Sequence, residues 1–314
     1  MPNAGRAVEH RIIIRASADS IYGLIADVES WPRIFPPTVY VDRIDQGPAH
    51  ERIRIWAQAK GVTKSWTSRR QFDPGSLRID FQQEVCAPPV AEMGGAWIIE
   101  PLSADESRVR LLHDYRAVGD DPAKLAWIDE AVDRHSRAEL AALQTNLELP
   151  EAALAERLLV FEDTVQIDGS VKDVYDFLNE AQLWSERLPH VSRVVLTEET
   201  PGVQRLQMDT MTKDGSTHTT TSVRICFPHH QIVYKQIGLP PLMTLHTGAW
   251  RLAENGSGVS ATFQHTVVLN DAELTAVPGA DADLGQAGAY VRTALSTNSL
   301  VTLEYAKEYT QGRR

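Results

Sequence analysis

Four short signatures recur in this chain of 314 residues at almost one spacing, so the sequence reads as two copies of one unit. Trp31 is followed by Trp184 at an offset of 153, and Arg70, at the end of a strand-like run, by Arg224 at 154. Gly95-Ala96-Trp97 returns as Gly248-Ala249-Trp250 at 153, and His113 as His265 at 152. His135-Ser136 matches Asn298-Ser299 at 163, across an insertion in the second copy. Otherwise the copies share few residues and have diverged. The boundary is expected at Leu149-Pro150-Glu151, giving domains 1–149 and 150–314.

Each unit has one order of elements. In the first, Val8 to Arg15 alternates as a strand. Ala18-Asp19-Ser20 caps a helix running to about Val28, and a second short helix, Trp31 to Phe35, is closed by Pro36-Pro37. Strands are predicted near Tyr40–Gln46, Arg52–Lys60, Lys64–Phe72, Leu77–Glu84, Met93–Leu102 and Val109–Val118, with a turn at Asp73-Pro74-Gly75. A helix from about Asp121 to Leu147 carries Leu125, Ile128, Val132, Leu140 and Leu143 at helical period. After a helical linker, Glu151 to Glu156, the second unit repeats the order from Leu158, with a helix from Asp173, six strands to Leu269 and a last helix from about Asp281 to Tyr309. Consecutive antiparallel strands with helices at fixed ends define an α+β class. A sheet of six or seven such strands must curl, and a long helix laid across it encloses a pocket.

The net charge of −11 argues against nucleic-acid binding and against electrostatic docking on an anionic membrane. Two cysteines, Cys86 and Cys226, supply neither a disulfide framework nor a Cys-rich metal site and read as core thiols. The polar start carries no secretory signal and no run of about 18 apolar residues appears, so a cytoplasmic protein is expected. There is no HExxH, Walker or GxGxxG motif and no GxSxG elbow; His229-His230 falls in a predicted turn. No metal or organic cofactor is therefore expected.

Several stretches tie the order of elements to a family. Trp31-Pro32-Arg33-Ile34-Phe35, the run from Ser65-Trp66 through Ser68-Arg69-Arg70 to Asp73-Pro74, Met93 to Trp97, and Arg134-His135-Ser136-Arg137 resemble bacterial aromatase/cyclases of type II (aromatic) polyketide synthesis. These belong to the START/Bet v 1-like (SRPBCC) superfamily, whose helix-grip fold is a curved antiparallel sheet around a long C-terminal helix. Two copies in one chain resemble its di-domain members, and the likeness covers nearly the whole chain, more strongly in its first half.

The candidate site residues follow. Alternation puts Trp66, Ser68 and Arg70 on one strand face, expected to be the concave one, and Arg69 on the other. Arg70 sits where the resemblance implies a catalytic arginine, a fixed cation for an enolate or alkoxide oxygen; the alternative is a structural ion pair. Ser68 is a candidate to hold a water or substrate hydroxyl. His113 is a candidate proton carrier for enolisation and dehydration, or else a satisfied core histidine. Trp31, Phe35, Trp66, Met93 and Trp97 would wall the pocket, or simply pack the core. Thr38 offers a short hydroxyl there. Asp129, Asp133 and Ser136 share one helix face, from which Asp129 or Asp133 would pair with His113 or Arg70 if that face looks inward; the alternative for Asp133 is a solvated face. In the second unit Thr220, Ser222 and Arg224 repeat the strand face with His218 further along it; His246 replaces Met93, and Trp250 and His265 are kept. The motif there is degraded between Thr217 and Pro228, and Leu188 replaces the second aromatic of the tryptophan-proline stretch. Arg224 and His265 are candidate catalytic groups, and Ser222, His246 and Trp250 candidate substrate contacts, with the first unit the surer catalyst.

The resemblance implies regiospecific first-ring aldol closure and aromatisation of a ketoreduced poly-β-ketone, of C7–C12 type. The substrate would be held by an acyl carrier protein, with a ketosynthase and ketoreductase as pathway partners. Arg33, Lys60 and Lys64 are candidates for a basic docking patch. The alternative is a carrier of hydrophobic ligands or lipids without catalysis, which has no need of inward Ser68, Arg70 and His113.

Overall fold

The computed structural model describes residues 5–211, 217–277 and 282–312 and divides into two compact units between Pro150 and Glu151. In the first unit β1 (Arg6–Ile14) leads into α1 (Ala18–Ala26) and the single turn α2 (Trp31–Ile34). A meander follows: β2 (Thr38–Gln46), β3 (His50–Ala59), β4 (Val62–Asp73), β5 (Arg78–Val85), β6 (Val90–Pro101) and β7 (Ser107–Ala117). The helix α3 (Pro122–Glu148) closes the unit. The sheet runs β1-β7-β6-β5-β4-β3-β2, antiparallel throughout. The first strand thus returns beside the last, which leaves the two helical turns to cross from one edge to the other.

Local chemistry sets the joints. The Ser17 hydroxyl caps α1 on the Ser20 N–H. The Asp121 carboxylate caps α3 on the N–H groups of Ala123 and Lys124, with Pro122 opening the helix. Lys60-Gly61, both at positive φ, make the two-residue turn between β3 and β4. The Asp73 carboxylate holds the next turn on Gly75 and Ser76. The core under α3 gathers Ile14, Ile21, Ile25, Phe35, Trp97 and Leu143. The helix presents Ile128, Val132, Leu140 and Leu143 to the sheet, as its period predicts.

The second unit opens with α4 (Glu151–Arg157) and β8 (Leu158–Ile167), then α5 (Val171–Asn179) and α6 (Trp184–Arg187). Its meander is β9 (Val191–Thr200), β10 (Val203–Met211), β11 (Thr217–Phe227), β12 (Gln231–Gly238), β13 (Met243–Asn255) and β14 (Gly258–Leu269), and α7 (Leu284–Gln311) closes it. The sheet order is β8-β14-β13-β12-β11-β10-β9, the first unit's order repeated. The last helix starts at Leu284, behind an Asp283–Gln286 capping box; its expected start, Asp281, lies outside the described residues. Among the described residues no helix is long and apolar enough to cross a membrane. Cys226 is buried, but Cys86 is only half-buried at a strand end and is not the core thiol expected.

The glycine-alanine-tryptophan repeat has a packing cause. Gly95 lies opposite Phe81 on β5, and Gly248 opposite Tyr234 on β12. A Cβ on Gly95 would meet the Phe81 ring at 2.7 Å, and one on Gly248 the Tyr234 hydroxyl at 2.4 Å. Each glycine lets a cross-strand aromatic lie over bare backbone.

Arg70 is one of the largest fully enclosed side chains, 2% exposed. Its Nη1 donates to Glu51 Oε1 at 2.6 Å and to the Ala26 carbonyl at 3.2 Å, and Nη2 to the Ile25 carbonyl at 2.6 Å. The rings of Trp31 and Phe72 cover it at 4.9 and 5.0 Å. Glu51, 1% exposed, is held also by Arg43 at 3.0 Å. This network ties α1 to β3 and β4. Removing one charge of a buried pair strands the other, at a cost of about 3–5 kcal/mol. Glu51→Gln is expected to lower the first unit's stability by that order in urea unfolding. Tryptophan fluorescence reports it selectively, since five of the seven tryptophans, Trp31, Trp56, Trp66, Trp97 and Trp127, lie in this unit.

Candidate active site

Each unit encloses a cavity between sheet and closing helix. Their volumes are similar, about 140 Å³ in the first and 120 Å³ in the second, so their linings distinguish them. In the first unit Trp31, Trp66, Met93 and His113 line the cavity, together with Thr38 and Ser136. Trp31 serves two sides: one end of its ring system roofs Arg70, its Nε1 holds the Ile25 carbonyl at 3.1 Å, and it still faces the cavity.

The other first-unit candidates lie elsewhere. Ser68 and Arg70 point inward while Arg69 is exposed, but Ser68 donates to the Gln82 carbonyl at 3.2 Å and Arg70 is spent on Glu51. Neither is part of the cavity lining. Phe35 and Trp97 stack with ring centroids 6.3 Å apart in the core. Asp129 reaches neither His113 nor Arg70. It pairs with Arg6 at 2.7 Å and accepts the Tyr115 hydroxyl at 2.6 Å, because its turn of α3 faces the β1–β7 edge. Asp133 binds His10 and Arg137. Of the proposed docking cations, Lys64 lines the cavity, Lys60 is paired with Glu130, and Arg33 leans on Ser30 at 3.5 Å.

The second cavity brings Ser222, Arg224, His246, Trp250 and His265 together, and adds His218 and Tyr234. The decisive difference is on β10. Glu51 pairs in register with Arg70; the residue in register with Arg224 is Gln204. Arg224 is 2% exposed, donates Nη2 to the Leu178 carbonyl at 2.6 Å, and lies 5.3 Å from the Trp184 ring. Among the described residues its Nη1 has no hydrogen-bond partner and no carboxylate is hydrogen-bonded to it; Glu198, bound to Gln204, attracts it only through space. Gln204 instead donates to Glu198 at 2.9 Å and to the Asn179 carbonyl. Burial lowers both arginine pKa values, that of Arg70 to about 10. One charge is compensated; the other faces a cavity.

The histidines differ in the same way. His113 is pushed down to about 4 by burial and by the neighbouring His10 and His135, and its Nδ1 has no partner. His265 is pushed to about 4 by burial, and His246 well below its usual value by burial and by His265. Yet His265 is fully engaged. Its Nδ1 meets His246 Nε2 at 2.9 Å and the Tyr234 hydroxyl at 3.0 Å, and its Nε2 meets the Ser299 hydroxyl at 3.0 Å.

Sequence reasoning missed Glu51, Gln204, Tyr234 and Glu139. Glu51 was recoverable: the Lys60-Gly61 turn, taken as the hairpin centre, places position 51 opposite Arg70. Tyr234 follows likewise from its place opposite Gly248. Glu139, one turn beyond His135 on α3, had only its helical spacing. It lines the first cavity without a hydrogen-bonding partner, and burial pushes its carboxyl up to about 8.

The comparisons with known proteins agree with this architecture. The fold alone defines tandem helix-grip, START/Bet v 1-like units. Residues 14–137 and 159–303 each match a family described as polyketide cyclase / dehydrase and lipid transport, and the chain belongs to that family. It is 50% identical to a granaticin polyketide synthase bifunctional cyclase/dehydratase of Streptomyces virginiae, covering 94% of this chain and 96% of that one. It is 42% identical to the actinorhodin counterpart of Streptomyces coelicolor over 96% and 97% of the two chains. Among solved structures, the di-domain ARO/CYC BexL is 60% identical and superposes with a TM-score of 0.87, covering 97% of this chain and 98% of its own. The di-domain ARO/CYC StfQ, from the steffimycin pathway, is 32% identical at the same TM-score, over 98% and 99%.

Glu139 yields a prediction with a sign. A carboxyl whose folded value exceeds its unfolded value keeps in the folded chain a proton that the unfolded chain has lost. Its contribution is fully present below the unfolded value, 4.5, and is lost as pH rises towards about 8. The first unit's urea midpoint is expected to fall across that window, and Glu139→Gln to flatten the fall.

Proposed function

We propose that this chain is a bifunctional polyketide cyclase/dehydratase of a type II synthase, closing and aromatising the first ring of a carrier-bound poly-β-ketone. The observation that carries this reading is Arg224: a buried cation with no carboxylate partner, facing a cavity in company with Tyr234 and His265. Aldol closure passes through an enolate and then an alkoxide. A guanidinium held in a water-poor cavity stabilises both oxygens, and it reorganises little because Leu178 and Trp184 already fix it. Ser222, His246 and Trp250 would contact the substrate around it, and the lining confines a chain that reacts with itself.

The finer reading keeps a ketoreduced chain closed between C7 and C12, delivered by an acyl carrier protein in the cytoplasm alongside a ketosynthase and a ketoreductase, with no metal or organic cofactor. In the first unit Trp31, Trp66, Met93 and His113 are proposed as substrate contacts. Arg70 with Ser68, and Phe35 with Trp97, hold that cavity's walls in place. Its three tryptophans, Trp31, Trp66 and Trp127, and its compensated arginine also suit plain hydrophobic-ligand binding, which keeps the carrier alternative open for that unit.

The test is co-expression with a minimal polyketide synthase and a ketoreductase. The chain is expected to shift the products towards a ring-closed aromatic compound, and an unchanged profile would contradict the reading. Arg224→Gln is expected to lower that product by about a hundredfold, the scale for losing one preorganised oxyanion donor. Its melting temperature is expected to fall as well, since the bond to the Leu178 carbonyl is lost, so product is compared per amount of soluble chain.

A further inference from the structure

The cluster around His265 asks for an explanation that the fold does not supply. Four groups, Tyr234, His246, His265 and Ser299, form one continuous hydrogen-bonded line inside the second unit. The first unit builds the same sheet in the same register without it. Opposite Arg70 stands Phe81, as Tyr234 stands opposite Arg224. Met93 stands two residues before Gly95, as His246 stands two before Gly248. His113 and Ser136 remain there, but His113 Nδ1 and Ser136 Oγ are both buried and unpaired. Burying two imidazoles and a phenol is unfavourable, the more so because His246 Nδ1 is itself left unpaired among the described residues. A fold that stands equally well on phenylalanine and methionine has no structural need of them.

The line is arranged to move a proton. Two neutral imidazole nitrogens 2.9 Å apart must share one hydrogen, so one of His246 Nε2 and His265 Nδ1 donates and the other accepts. The Tyr234 hydroxyl reaches that junction at 3.0 Å from His265 and 3.4 Å from His246. Ser299 satisfies the far nitrogen of His265 as either donor or acceptor. The hydrogens can therefore take either of two settings with no heavy atom moving. His246 and His265 are 2% and 3% exposed, while Tyr234 is half-buried and lines the cavity. All four line the cavity, but Tyr234 is the most exposed of the three ring-bearing members, and on the adjacent strand Arg224 pairs with it in register on the same side.

We infer that the second unit is the dehydration centre and that Tyr234 is its catalytic acid and base, with His265, His246 and Ser299 acting through it. This rests on the cyclase/dehydratase reading above and deepens it. The substrate class is a β-hydroxy ketone, the product of aldol closure. Burial raises the Tyr234 hydroxyl and lowers His265, so the line rests neutral and the transfer is concerted: Tyr234 takes the proton from the carbon between the carbonyl and the carbinol as its own proton passes to His265. The C–H electron pair becomes an enolate beside Arg224. The proton then returns through Tyr234 to the departing hydroxyl: the C–O bond breaks, the enolate pair forms the new C=C bond, and water leaves. One proton is removed and the same proton is delivered, so the enzyme ends as it began and no other reactant is consumed.

The test uses the full chain co-expressed with a minimal polyketide synthase and a ketoreductase, and reads the ratio of aromatic product to its ring-closed precursors heavier by one or two waters, since a ketoreduced ring carries two carbinols and the step runs once for each. Soluble chain is quantified in each strain so that equal amounts are compared, and Tyr234→Phe leaves the ring in place over Gly248. The wild-type chain gives mostly aromatic product; if it leaves the profile of the synthase unchanged, the cyclase/dehydratase reading itself has failed. Given wild-type aromatisation, Tyr234→Phe is expected to lower the ratio by about a hundredfold, the usual scale for one acid/base group. His265→Gln, which keeps a hydrogen-bonding side chain but carries no proton, should lower it similarly. A wild-type ratio in Tyr234→Phe overturns the inference. So does the loss of all ring-closed material, which would assign the line to closure instead.

Discussion

A buried arginine on the third strand of the meander organises each half of this protein, and the partner across the strand decides what the arginine does. In both units the guanidinium reaches back to the carbonyl that ends the first helix, Ile25 or Leu178, under a tryptophan. That contact fixes the helical turns against the sheet and so sets the cavity wall. With Glu51 opposite, the charge is neutralised and the arginine becomes a strut. With Gln204 opposite, the strut remains through Leu178, and the charge is left to act on whatever enters the cavity.

The asymmetry extends to neighbouring positions in a consistent direction. Where the first unit has Glu51, Phe81 and Met93, the second has Gln204, Tyr234 and His246. The first unit keeps aromatic walls and gains Lys64 and Glu139; the second gathers polar groups around an uncompensated cation. On the proposed function, duplication let one unit specialise in holding an apolar substrate and the other in proton transfer, within one fold. The motif that looks stronger in the sequence belongs to the unit whose arginine is committed to structure.

Much of the fold was legible because its signals are local. Alternation marks the strands, Pro36-Pro37 and Asp73-Pro74-Gly75 mark the joints, and the α3 period marks the helix that closes the cavity. The site was less legible, for two reasons. Alternation says which way Arg70 points but not what it meets, and a single missed residue at the start of β3 hid Glu51. Helical spacing puts Asp129 and Ser136 on one face, yet two turns apart they meet different surroundings: Ser136 lines the cavity while Asp129 meets Arg6 and Tyr115 at the edge. The Tyr234–His265 line depends on cross-strand register between β12, β13 and β14, which no single segment encodes. Trp97 and Phe35 illustrate the converse: aromatic residues in a shared motif that pack with each other rather than with a ligand.

The central claim is that the residue opposite the arginine separates support from chemistry, and Gln204→Glu tests it most directly. That substitution gives Arg224 the partner that Arg70 already has, at nearly constant volume. Aromatic-product formation per amount of soluble full chain, beside a minimal synthase and ketoreductase, should fall by at least about tenfold, because the new carboxylate consumes the charge of Arg224; the amide's hydrogen bonds to Glu198 and Asn179 are lost, so the second unit's melting temperature is expected to fall as well. Undiminished product formation in a folded Gln204→Glu chain would contradict the account.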